Sequence, residues 1–165
     1  MTTSEGAVVL ALPQFLELLA SGEEGRLALS LLGMTPEDLP LSPAVSTNSA
    51  RGLERQLAST VAAATEHLQV IAPLGETQSI FAFRYEDSCA VFLMGQEETL
   101  GLNCSVTEAG ELVDRTIEKL LTARVDWSVC WHSDDALHQV DVNPDGTVAG
   151  EPQVSLEELV AAFAA

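Results

Sequence analysis

The sequence predicts an α+β fold, a mostly antiparallel sheet with helices packed on it. Three observations carry that expectation. Apolar residues alternate with a period of two through much of residues 67–106 and again through 126–142, the mark of strands with two distinct faces. The breaks between these runs are short, at Gly75-Glu76 and Glu86-Asp87, which suits hairpins. Helix-period segments stand before, between and after the strand runs, and long crossovers between every strand pair are missing, which argues against a doubly wound parallel sheet.

In chain order, residues 12–20 form a short helix: Pro13 suits a first turn, and Phe15, Leu16, Leu18 and Leu19 give the apolar side. Gly22-Glu23-Glu24-Gly25 is expected to break it, and residues 26–32, whose pattern suits either a strand or a helix, are read in favour of a second helix. Residues 33–48 hold three prolines and read as a connecting loop, with a helix-start signal at Thr35-Pro36-Glu37-Asp38. Asn48 or Ser49 caps a longer helix to about residue 65, whose buried stripe is Leu53, Leu57 and Val61 with Ala58, Ala62 and Ala63. Strands follow at 67–73, 79–85, 89–94 and 100–106, the last half-buried through Leu100, Leu102, Cys104 and Val106. Thr107 is expected to cap an amphipathic helix to residue 123, with Leu112, Val113, Ile117, Leu120 and Leu121 on one side. Two more strands, 126–132 and 137–142, lead to a turn at Asn143-Pro144-Asp145-Gly146, and Ser155 with Glu158 opens a last helix through Phe163. The chain therefore reads as one domain over residues 1–165: a helical part and loop to residue 48, then an α-β-β-β-β-α-β-β-α unit from 49.

Charge narrows the partners. Among 165 residues, 25 acidic side chains face seven basic ones, for a formal net charge of −18. Phosphate backbones and anionic membrane surfaces are bound through Lys and Arg, so neither nucleic acid nor membrane is an expected partner. The acids recur as pairs along the chain, among them Glu23-Glu24, Glu97-Glu98 and Asp134-Asp135, which keeps a surface solvated and favours basic partners. No apolar run is long enough to span a bilayer, and the N-terminus lacks the basic region of a signal peptide. Three cysteines, Cys89, Cys104 and Cys130, have no paired spacing and sit in apolar strand runs, so they read as small buried thiols. A cytoplasmic location is expected.

Chemistry-bearing patterns are sparse. No nucleotide-binding glycine loop, nucleophile elbow or zinc-protease helix motif occurs, and no catalytic residue, metal or cofactor is expected. The one cluster that invites a metal or acid–base reading is His132, Asp134, Asp135 and His138, where the two histidines could face each other across a hairpin. Hairpin tips favour Asp and Ser on conformational grounds alone, so a solvated turn is the expectation. Cys130 and His132, two apart on one strand, share a face but lie beside Trp127 and Trp131 in a packed setting.

Residues 62–123, reading AAATEHLQVIAPLGETQSIFAFRYEDSCAVFLMGQEETLGLNCSVTEAGELVDRTIEKLLTA, resemble the recurring half of the EspG family, the cytosolic chaperones of actinobacterial type VII (ESX) secretion. The matching pieces are the strands at 68–72, 80–85, 90–93 and 100–106 and the helix at 112–121. The order of elements is also similar to class I type III secretion chaperones and to YbjN-like proteins of that fold. Both resemblances imply a module that holds a secreted or assembly-prone partner protein in the cytoplasm, and neither supplies a motif whose partner-binding residues can be transferred here. The expected function is thus a non-enzymatic protein-binding module, a cytosolic chaperone or adaptor, with a homodimer as one assembly open to it. The alternative is an acidic immunity or inhibitor protein that neutralises a basic partner. Trp127, Val129 and Trp131 share one face of a strand and are the candidate partner-binding residues, because indoles bury much area with few rotamers.

Overall fold

Short connections force neighbouring strands to run antiparallel. The computed structural model describes residues 7–32, 52–72, 78–95, 98–133, 136–150 and 155–164. Among these, β2 (Glu66–Ile71), β3 (Ser79–Tyr85), β4 (Ser88–Met94) and β5 (Glu98–Ser105) form a meander. On the free side of β2, the hairpin of β6 (Trp127–Ser133) and β7 (Ala136–Val142) continues the sheet. A further strand that the sequence reading leaves out, β1 (Ala7–Ala11), pairs with β5 at the opposite edge. The resulting order is β1-β5-β4-β3-β2-β6-β7, antiparallel at every step, and the fold is α+β.

Helices cover both faces of this sheet. On one, α1 (Leu12–Leu19), α2 (Glu23–Leu31) and α3 (Gly52–Ala63) pack over Phe81, Phe83, Ala90 and Phe92. On the other, α4 (Val106–Ala123) and α5 (Leu156–Ala164) pack over Leu68, Ile80, Val91 and Val129. The alternation along β3 shows the division: Ile80 and Ala82 enter the second core, Phe81 and Phe83 the first. Double cover also explains why β3 and β4 read as nearly continuous apolar runs, since neither face meets water.

Several local expectations change. The first helix does end before Gly22, but α2 starts at Glu23 instead of residue 26, and its first turn carries Glu23 and Glu24, which suit the positive helix end. Glycine is needed there for closeness: a Cβ on Gly25 would overlap the Leu19 carbonyl of α1, and one on Gly22 would overlap the Val61 carbonyl of α3. The cap of α4 is Ser105, not Thr107; its Oγ accepts from the Glu108 N–H at 3.2 Å. Ala62 and Ala63 are exposed, because the sheet-facing stripe of α3 runs through Leu57 and Val61 alone at that end. Ser155 does cap α5, accepting from the Glu158 N–H at 3.1 Å. The loop at 33–48, the cap at Asn48 or Ser49 and the break at Gly75-Glu76 lie outside the described residues. Among the described residues, no helix is long and apolar enough to cross a membrane.

Candidate functional site

Strand β6 carries the three residues that the sequence offers for a partner surface, and its register decides the matter residue by residue. Trp127, Val129 and Trp131 do share a face, the one under α4 and α5. Trp127 is 4% exposed and Val129 is fully buried, so both spend their area on the core of their own chain and offer none to a partner. The reason is α5, whose Leu159 and Phe163 cover this end of the sheet. Trp131 is half-buried; its indole N–H donates to Glu66 at 2.8 Å and its ring stacks on His138 at 5.5 Å.

The facing of His132 and His138 that a hairpin could allow does not occur, and His132 is not the solvated turn residue that the sequence leads one to expect. The β6–β7 register sets Trp131 opposite His138 and His132 opposite Leu137, so the two histidines point to opposite faces. Asp134 and Asp135 lie outside the described residues. His132 instead turns toward the α1–α3 side and meets two residues that the sequence reading did not connect with it. Its Nδ1 lies 2.8 Å from Glu24 Oε1, and Nδ1 of His67 lies 2.9 Å from the same oxygen. His67 and His132 are directly opposed on β2 and β6, and Glu24 descends on them from the first turn of α2. His67 is fully buried and Glu24 is 7% exposed. Burial by itself would raise the Glu24 carboxyl, but hydrogen bonds and charge from His67 and His132 outweigh it and hold the group below its usual range. The second ring nitrogen of His67 faces Gln69 Oε1 at 3.2 Å, and Nε2 of that buried amide has no partner.

Cys130 lies beside this cluster on the same strand face and is buried. Burial, and then the charge of Asp141, push its thiol up to about 11, leaving almost no thiolate near neutrality.

A different feature faces solvent. Helix α4 presents Gly110, Glu111, Asp114, Ile117 and Leu121 along one stripe, the i, i+3, i+4, i+7 spacing of a helix face. Helix α5 lies beside it with Glu157, Val160 and Ala161, and the cleft between them encloses about 490 Å³. Its floor is apolar, with Leu121 43% exposed. Its rim is acidic, with Glu111, Asp114 and Glu157 all exposed. The sequence places Leu121 on the buried side with Leu120; Leu120 is buried, whereas Leu121 falls at the outer border of the stripe and lines the cleft. Compared with models of known protein families the chain matches none, and no curated protein matches it.

Proposed function

We propose that this chain is a cytosolic protein-binding module of the chaperone or adaptor kind, and that the cleft between α4 and α5 receives a basic amphipathic helix from its partner. The observation that carries the reading is the combination of an apolar floor, exposed at Leu121, partly open at Val160 and backed by buried Ile117, with a rim of Glu111, Asp114 and Glu157. An apolar helix face fits such a floor, and Lys or Arg beside that face would pair with the rim. The chain's net charge of −18 draws a basic partner and repels an acidic one. Reading the module as a secretion-type chaperone rests on the resemblance of residues 62–123, and the half-exposed Trp131 is the one candidate on β6 with surface left for a contact.

The test is a titration with a Lys- and Leu-containing amphipathic helical peptide, read by fluorescence anisotropy. Saturable binding that weakens at least about tenfold in Leu121→Asp and in the Glu111→Lys, Asp114→Lys double variant supports the reading. Equal binding of a Glu-for-Lys peptide of the same apolar pattern contradicts it.

A further inference from the structure

The polar cluster on the α1–α3 side asks for an explanation that the cleft does not provide. Three side chains with ligand atoms, Glu24, His67 and His132, converge from three separate elements, and their nearest donor atoms all lie within 4.8 Å of one another. The Glu24 oxygen is 2.9 Å from one histidine Nδ1 and 2.8 Å from the other. Neighbouring ligands around an octahedral ion with bonds of about 2.1 Å are about 3.0 Å apart, and around a tetrahedral one about 3.4 Å. The two spacings to Glu24 are near the first value and about half an ångström or more short of the second, so they favour an octahedral arrangement. Two imidazoles and one carboxylate are the donor set that suits zinc, iron, nickel or cobalt in the divalent state, and not magnesium or calcium.

Gln69 adds an independent observation. It is fully buried, and its Oε1 faces the His67 nitrogen remote from Glu24. Histidines that bind a metal through one nitrogen donate the other N–H to an oxygen acceptor, which fixes ring orientation and tautomer. That is the relation of His67 to Gln69. Both nitrogens of His67 thus face oxygens, Glu24 on one side and Gln69 on the other. A metal on Nδ1 lets a neutral ring satisfy both directions. A Gln69 amide turned end for end would also satisfy a neutral ring, without a metal, and the experiment must separate the two.

Access is present too. His132 keeps 17% of its side-chain surface, and beyond it Leu137, Gln139 and Asp141 on the same face of β7 are exposed. We propose that Glu24, His67 and His132 form a site for one divalent transition-metal ion, with Gln69 holding the His67 ring. Three protein ligands leave further positions for water or a small donor. The ion joins α2 to β2 and β6, so its first consequence is to clamp the helical layer onto the sheet. The site is on the opposite side of the sheet from the cleft and does not depend on the reading of it.

The test uses the full chain, stripped with chelator and dialysed, then titrated with zinc or cobalt(II) alone. One equivalent of metal per chain is expected, with visible cobalt bands from nitrogen and oxygen ligands. At free zinc about 100 times Kd, Tm should rise by about 5 to 10 °C. His132→Ala and Glu24→Gln, checked for folding by circular dichroism, should lose affinity at least about tenfold, as changes in a ligand shell do. His138→Ala, on the other face, should bind as the parent does. Ring-nitrogen resonances of the parent chain supply a reading that needs no variant: zinc should shift Nδ1 of His67 and His132 and leave His138 in place. Failure to take up metal at millimolar zinc, or parental affinity in His132→Ala, overturns the proposal and leaves a turned Gln69 amide as the account of the cluster.

Discussion

The two sides of the sheet solve the same problem differently. Under α4 and α5 the core is apolar from Leu68 to Trp127, and the polar work is pushed outward to the rim of the cleft. Under α1–α3 the aromatic core of Phe15, Phe81, Phe83 and Phe92 gives way, at the β2–β6 margin, to buried Glu24, His67 and Gln69. Burying polar groups costs free energy unless every one is paired. The first side therefore offers function on its surface, and the second holds it inside the packing.

The sharpest way to break this contrast is truncation in the apolar core. Trp127→Ala should destabilise the chain by about 3 to 5 kcal/mol in urea unfolding, the cost of emptying a large buried site. A loss within about 0.5 kcal/mol, the range of surface changes, would mean the indole is not packed as described. On the other side, His67→Leu keeps volume but leaves Glu24 with His132 as its one histidine partner; a cost of about 2 to 3 kcal/mol is expected from the poorly paired carboxylate. Unchanged or higher stability would show that the cluster contributes nothing to holding α2 in place.

These two substitutions also mark how far the sequence could be read. Apolar runs and the turns between them locate β2 through β7 to within a residue or two; alternation shows best in β5 and β6, whereas β3 and β4, covered on both faces, read as nearly continuous apolar runs. This reading misses β1, since AVVLA has no alternation and follows directly into α1. The cleft was half legible: the stripe on α4 is visible, but whether Leu121 is covered depends on where α5 lies. The cluster was illegible for a stronger reason. Glu24, His67 and His132 are 43 and 65 positions apart in turn, and only the β2–β6 register and the descent of α2 bring them together. A buried-looking His67 inside an apolar strand run was the available signal. The sequence instead drew attention to His132 and His138, which hairpin register separates.

Smaller changes sharpen the picture further. Gly25→Ala puts a methyl group into the Leu19 carbonyl and should cost about 1 to 3 kcal/mol as α1 and α2 are forced apart; a neutral result would mean the two helices are not in close backbone contact. Cys89 tests the apolar side by pH. Burial, helped by the nearby Cys104, raises its thiol from 9.0 to about 12. A group raised on folding stabilises fully below its unfolded value and loses that contribution as pH climbs toward the folded one. The urea midpoint should therefore fall between pH 9 and 11, and fall less steeply in Cys89→Ala. Parallel curves for the two chains would contradict the burial of that thiol.

The cleft is where the two sides part in function, and mapping a bound helix decides it most directly. In an isotope-labelled chain titrated with the basic amphipathic peptide, the amide resonances of Gly110, Ile117, Leu121 and Val160 should move together and saturate. Those of His67 and Gln69, across the sheet, should stay in place. Shifts centred on β6 and β7 instead, or none at all up to millimolar peptide, would contradict the assignment of the α4–α5 cleft as the recognition surface.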